Sequence, residues 1–309
     1  MKYIRTFNES INRSDIDAIC EKYNIKNYNI NDDGSIDVDG NVDLYNKKLK
    51  ALPLKFRNVS GNFKCSFNKL TSLKGSPQSI CGDFDCSGNQ LTSLEGTPQS
   101  IGGDFWCSSN QLTSLVGSPQ RVGGNFNCSS NQLTTLEGAP QNVGGFFDCR
   151  DNKLTSLVGC PQSIGRDFYC SINKLTSLVG SPQNIGGNFN CSYNQLTSLE
   201  GAPKRVYGDF SCYNNNLKNI DYLPKYYKEL LIGDNPIYKI VKLFTTYKGI
   251  GLIDDNREDK DLIMDFIDRE IIQQNKLLVN RLVEYLDDID KPKNREELIE
   301  LLKNDYEIR

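Results

Sequence analysis

Histidine is absent from the 309 residues, tryptophan occurs once and methionine twice. Without an imidazole there can be no Ser-His-Asp or Cys-His nucleophile, no His-ligated metal and no histidine acid–base catalyst. Enzyme chemistry is left to carboxylates, lysine, tyrosine or an isolated cysteine. Positive charge is not in excess either. The 36 basic and 39 acidic residues give a net charge of −3, so no global field draws the chain to nucleic acid or to anionic lipid. No apolar run approaches the ~20 residues of a membrane-spanning helix. Met1 to Glu9 lack the uninterrupted apolar core of a secretory signal. A soluble, non-secreted protein is the expectation.

What the chain does have is cysteine, 11 of them, in an order that explains most of the count. Cys65, Cys86, Cys107, Cys128, Cys149, Cys170, Cys191 and Cys212 follow one another at intervals of 21 residues. Eight of the 11 are therefore one repeated position, which argues against a disulfide framework. Phenylalanine stands two residues before each, from Phe63 to Phe210, and asparagine three residues after each, from Asn68 to Asn215. Two leucine columns begin at Leu70 and Leu73, a proline column at Pro77 and an Ile/Val column at Val59. The unit reads F-x-C-S-x-N-x-L-T-S-L-x-G-x-P-x-x-I/V-x-G-D/N. Degenerate copies carry the columns upstream through Val42, Leu44, Leu49 and Leu52, and downstream through Leu230, Ile232, Asn235, Ile237 and Ile240.

Phe-x-Cys alternates as a short strand does, with both side chains inward. Glycine before it and Ser-x-Asn after it limit its length, so one strand per repeat is expected. A lone repeat buries too little apolar surface to offset the entropy of ordering it, and stacking is obligatory. The asparagine can bond its amide to backbone that turns away from the sheet, copy upon copy. Proline favours an extended, irregular return. The glycine before the Asp/Asn position needs a positive φ or a close approach, and Arg166 is the exception in that column. The cysteines are expected to be buried reduced thiols, since parallel Cβ vectors suit a disulfide badly. No cofactor or metal is expected.

The string I-x-G-D/N-F-x-C-S-x-N-x-L-x-x-L resembles the leucine-rich-repeat signature, with Ile/Val, Phe and Cys in place of leucines. The short period and the proline-bearing outer segment are similar to bacterial effector-type repeats. The wording LTTLEGAPQ…GGNFNCSYNQ resembles repeat proteins of large tailed bacteriophages. The resemblance covers about two thirds of the chain and departs from the signature by one extra residue between Ile/Val and Phe. It implies a leucine-rich-repeat solenoid with a parallel β-sheet on a concave face and an irregular convex face. For partners it implies a protein of the host cell or of the virion, and for location the host cytoplasm or the virion.

Three regions are expected: a helical cap over 1–35, the solenoid over 36–240 and an α-helical region over 241–309. Ser14-Asp15-Ile16-Asp17 reads as a capped helix start, with Ile16, Ile19 and Cys20 as its apolar stripe. Ile4, Phe7 and Ile11 form a small apolar face suited to docking on that cap, with a targeting tag as the alternative. Asp32-Asp33-Gly34 is a turn into a strand at Ile36 and Val38. Asn235-Pro236 suits a helix N-cap with proline at the first helical position. Helices then follow around 240–244, 262–271, 278–289 and 298–302. The segment 241–309 holds 12 basic and 17 acidic residues, a net of −5.

Because the repeats are copies, fixed positions serve the scaffold and varying ones face outward. Most of the outward columns are small and polar. The exceptions are Trp106, Phe146, Asp148, Arg150, Asp151, Tyr169, Ile172 and Tyr193, gathered mainly at the repeats of Cys149 and Cys170, with Trp106 about 10 Å away at sheet spacing. Exposed Trp, Tyr and Arg among apolar groups are the composition of a protein-interaction hot spot. The reading is a non-enzymatic protein-binding module, with a virion-associated structural component as the alternative. A ligase-type effector enzyme is disfavoured because the last cysteine, Cys212, lies inside the repeats. Neither nucleic acid nor membrane is an expected partner.

Overall fold

The structure is a computed structural model that describes residues 12–248, 252–253 and 257–309. Ile4, Phe7 and Ile11 lie outside the described residues. The chain divides into two compact units, Met1–Asn152 with Gly159–Ser163, and Lys153–Val158 with Ile164–Arg309. Each is built on the 21-residue repeat as a leucine-rich-repeat-like parallel β-solenoid.

In the first unit the Phe-x strands stack in parallel from Val42–Asp43 through Phe63–Lys64, Phe84–Asp85, Phe105–Trp106 and Phe126–Asn127 to Phe147–Asp148. The second unit continues the motif from Phe168–Tyr169 through Phe189–Asn190 and Phe210–Ser211 to Leu230–Leu231. Phe, Cys and both leucine columns are inaccessible to solvent throughout, from Phe63 and Cys65 to Phe210 and Cys212. Neighbouring phenylalanine rings touch, as Phe63 and Phe84 do edge to face at 5.4 Å.

The structure adds a second strand to each repeat where the sequence suggested one. Ser79–Ile80, Ser100–Ile101, Arg121–Val122 and Asn142–Val143 form their own parallel ladder in the first unit. Asn184–Ile185 pairs with Arg205–Val206 in the second. A two-residue strand has no alternation to detect. It exists because the stacked neighbour supplies the pairing groups, while proline and glycine hold it to that length.

The asparagine ladder is present and explains why the residue is fixed. Asn89 donates from Nδ2 to the carbonyls of Cys86 at 3.0 Å and, in the preceding repeat, Cys65 at 3.1 Å. Its Oδ1 accepts from the backbone N–H of Leu70 at 3.0 Å. One side chain thus satisfies two turn carbonyls and one amide that the sheet leaves over. Asn235 fills the same position at the last rung, donating to Cys212 O and accepting from Leu217 N–H. Its side chain is therefore spent on the ladder and is not a helix cap.

A second polar ladder runs along the Asp/Asn column. Asp83 Oδ1 accepts from the N–H of Asp104, and Asp104 Oδ1 from that of Asn125. These side chains lie over the glycines of the next repeat. A Cβ on Gly103 would stand 2.2 Å from Asp83 Oδ1, so this glycine is required by close approach. The positive φ falls on the other glycine column, for example Gly117 at +88°. The Phe146 side chain has no oxygen with which to continue this ladder, and in the sequence the non-glycine Arg166 follows in the next repeat.

At the N-terminal end, α1 (Arg13–Lys22) starts two residues earlier than expected, capped by Asn12, whose side chain accepts from Asp15 N–H at 2.9 Å. It buries Ile16 and Cys20. Tyr28–Ile30 and Ile36–Val38 form a hairpin around Gly34, and Ile36–Val38 begins the second ladder against Phe56–Val59.

Past the repeats come α2 (Tyr238–Val241), α3 (Arg257–Asp268), α4 (Val279–Asp288) and α5 (Arg295–Leu302). Phe244, Phe266 and Tyr285 form a mutual ring cluster at 5.2 to 5.8 Å. A three-stranded sheet of Ile272–Gln273, Lys276–Leu277 and Glu307–Ile308 was not foreseen. Among the described residues no helix is long and apolar enough to cross a membrane.

Candidate protein-interaction surface

Three positions that the sequence reads as outward follow one another along each repeat: the residue between Phe and Cys, the residue after Cys, which is buried at Ser66, Ser129, Ser171 and Ser192, and the one before Asn. The first is less free than its variability suggests. Asp85 Oδ1 accepts from Ser87 N–H at 3.0 Å, Asn127 Oδ1 from Ser129 N–H at 2.9 Å and Asn190 Oδ1 from Ser192 N–H at 3.0 Å. Aspartate and asparagine here close the turn that leaves the strand. Lys64, Trp106 and Tyr169 occupy the column without that role.

The third position has a backbone requirement. Phe67, Gly88, Ser109, Ser130 and Asp151 in the first unit, and Ile172, Tyr193 and Asn214 in the second, all take φ between +52° and +63°. Glycine, asparagine and aspartate suit this left-handed region, whereas a side chain branched at Cβ does not. Ile172 nevertheless sits at +54° and is 50% exposed; Tyr193 and Phe67 are 52% and 58% exposed. Bulky apolar groups are thus held outward at positions whose backbone disfavours them.

In the first unit, the sequence candidates form two pairs. The rings of Trp106 and Phe146 meet edge to face at 5.8 Å, both half-buried. Asp148 accepts from the N–H of Arg150 at 3.1 Å and pairs with its guanidinium at 2.9 Å. The Asp148 side chain is 1% exposed, and burial raises its pKa against the lowering effect of Arg150. What this pair shows to solvent is Arg150. Asp151 is exposed beside it in sequence.

In the second unit, Tyr169 is half-buried in the first column, while Ile172 and Tyr193 are exposed in the third. Tyr193 packs on Tyr213 at 5.5 Å. The Tyr213 hydroxyl donates to Asp234, which pushes its own pKa up to about 12.

Sequence reasoning overlooked a third cluster, in the first unit. The rings of Tyr45 and Phe67 meet at 5.5 Å, and the Lys64 ammonium lies 4.6 Å from the Tyr45 centroid. Phe67 shares its column with Ile172 and Tyr193, and an aromatic residue where other repeats place glycine or asparagine was the available signal.

None of the 11 cysteines forms a disulfide; those of the column are buried and Cys81 is exposed. Burial raises Cys65, Cys107 and Cys212 far above the ordinary thiol value. Cys128 Sγ donates to Asp148 O at 3.3 Å. Among the described residues no group of three or more Cys, Asp or Glu side chains converges as metal ligands. A groove of about 1090 Å³ at the N-terminal cap, lined by Arg13, Ile16, Asp33, Lys55 and Phe56, has Asp33 and Lys55 already paired with each other at 2.6 Å.

No protein-family model matches the chain, and no curated protein matches its sequence.

Proposed function

We propose that the chain is a non-enzymatic protein-interaction module that presents the outward positions of its Phe-x-Cys repeats to a protein partner. The observation that carries this reading is the third column. Phe67, Ile172 and Tyr193 hold bulky apolar side chains in solvent on a backbone that disfavours them. Phe67 and Tyr193 each meet one neighbouring ring, yet all three side chains stay half or more exposed, and strain maintained at such positions points to a role outside the fold. Trp106, Phe146, Arg150 and Tyr169 add aromatic and guanidinium groups of the kind that dominate interface energetics. A scaffold fixed by repeated ladders presents them in place, so little ordering is required on this side when a partner binds.

The resemblance to phage repeat proteins supports a partner in the host cell, with a virion protein as the second source. Affinity purification from host lysate with the wild-type chain and with a Phe67→Asn/Ile172→Asn/Tyr193→Asn variant tests the reading. A protein held at fixed stoichiometry by the wild type and lost from the folded variant is expected. A partner retained equally by both, or a fixed copy number inside purified particles with no soluble partner, would overturn it.

A further inference from the structure

The return segment of each repeat carries outward positions of its own, on the second ladder. From the repeat of Gln78 to that of Gln183 the residue after proline is always glutamine, and the one after Ile/Val is Cys81 or glycine. The last two repeats abandon this. Lys204 and Lys225 replace the glutamine, Tyr207 replaces the glycine, Arg205 and Tyr226 stand where serine or asparagine is usual, and Lys228 closes the segment. All six are exposed, Tyr207 at 60% and Tyr226 at 58%.

Backbone pairing within the second unit places them on adjacent rungs. Lys225 N–H donates to Lys204 O at 3.1 Å, Val206 N–H to Tyr226 O at 2.8 Å, and Arg205 pairs with Tyr226 in parallel. The Arg205 guanidinium lies 5.2 Å from the Tyr226 ring centroid. The ion pairs of this unit among the described residues fall within 239–309 and use none of the four cations. The fold does not ask for them, since Val206 keeps the inward position of the repeat. Like charges on neighbouring rungs are unfavourable by themselves. Four uncompensated cations among tyrosines are matched by an anionic partner.

We infer that this face docks an acidic polypeptide segment, its carboxylates meeting Lys204, Arg205, Lys225 and Lys228 and its apolar atoms lying on Tyr207. An extended peptide presents alternate side chains about 7 Å apart, which suits four cations confined to two rungs. A nucleic-acid strand fits less well. On the next rung, Gln183, Asn184 and Gly186 are neutral and would compensate no further phosphate. Arg205 also already covers a ring on which a base would stack.

Fluorescence anisotropy of the full chain with labelled deca-glutamate, and separately with a ten-nucleotide oligo-dT, at about 50 mM salt is the test. The wild type is expected to bind deca-glutamate, more weakly as salt rises. A Lys204→Gln/Arg205→Ser/Lys225→Gln variant, which restores the residues of earlier repeats, should bind about tenfold more weakly with an unchanged or higher melting temperature. Lys225→Gln alone, the milder change, should shift affinity in the same direction and guards against misfolding of the triple variant. No deca-glutamate binding, equal binding by all variants, or tighter binding of oligo-dT than of deca-glutamate would overturn the inference.

Discussion

The repeats and the C-terminal helical region are stabilised in opposite ways. In the repeats the stabilising groups are copies: Asn89, Asn110 and Asn131 each make the same bonds, and Phe84, Phe105 and Phe126 touch in turn. In the helical region each group occurs once. Phe244, Phe266 and Tyr285 meet at a single point, the Tyr285 hydroxyl donates to Leu262 O at 2.8 Å, and Tyr306 ties the last residues to Lys218 O at 2.9 Å. Repetition separates scaffold from surface by inspection, because what recurs is needed locally. A region built once offers no such internal control.

The comparison can be broken most severely at Tyr285. Its ring is fully buried at the centre of the cluster, and Tyr285→Ala should remove about 3–5 kcal/mol of stability. Hydrogen exchange should show amides of 257–309 losing protection while the repeats keep theirs. Simultaneous loss in both would mean that the two regions unfold as one.

A smaller and more local effect is expected in the repeats. Asn110→Ala strands the carbonyls of Cys86 and Cys107 and the amide of Leu91. A loss of about 2–4 kcal/mol is expected, read as reduced exchange protection confined to the adjoining repeats. Global unfolding by this one change would argue against rung-by-rung stabilisation.

The smallest effect concerns acid. Lys55 and Ser35 hold the Asp33 carboxyl below its ordinary range, and Arg57 does the same for Asp37. Groups with lowered values stabilise fully above the unfolded carboxylate pKa of about 4 and lose that contribution as pH falls through the lowered folded value. Protection of the hairpin Tyr28–Val38 should therefore decline on acidification, and less so in Lys55→Gln/Arg57→Gln. Asp148 has the opposite sign. Its raised pKa makes the charged form the less stable one, so its contribution diminishes as pH rises through that raised value.

The fold was legible wherever a column repeats with one chemistry, as with Phe, Cys, Leu and Asn. The second ladder was not, because two-residue strands such as Ser100–Ile101 arise from stacking and carry no pattern of their own. The helices after residue 240 were visible in apolar spacing, whereas the strand Glu307–Ile308 pairs with a segment some thirty residues earlier that no local signal announces. At the candidate surface, variation in the first column overstated freedom: Asp85, Asn127 and Asp148 turn out to close turns. The left-handed backbone of the third column was hidden by the very residues that make it informative, Phe67, Ile172 and Tyr193.

The central claim is that these outward side chains are held for a partner and not for the fold. Ile172→Asn tests it most directly, since asparagine already serves this backbone site at Asn214 and unfolds with an ordinary side chain's freedom. Thermal unfolding of the variant should show stability equal to the wild type or higher by up to about 1 kcal/mol, as the left-handed strain is relieved. A loss of more than about 1 kcal/mol would show that Ile172 is a structural residue and contradict the account.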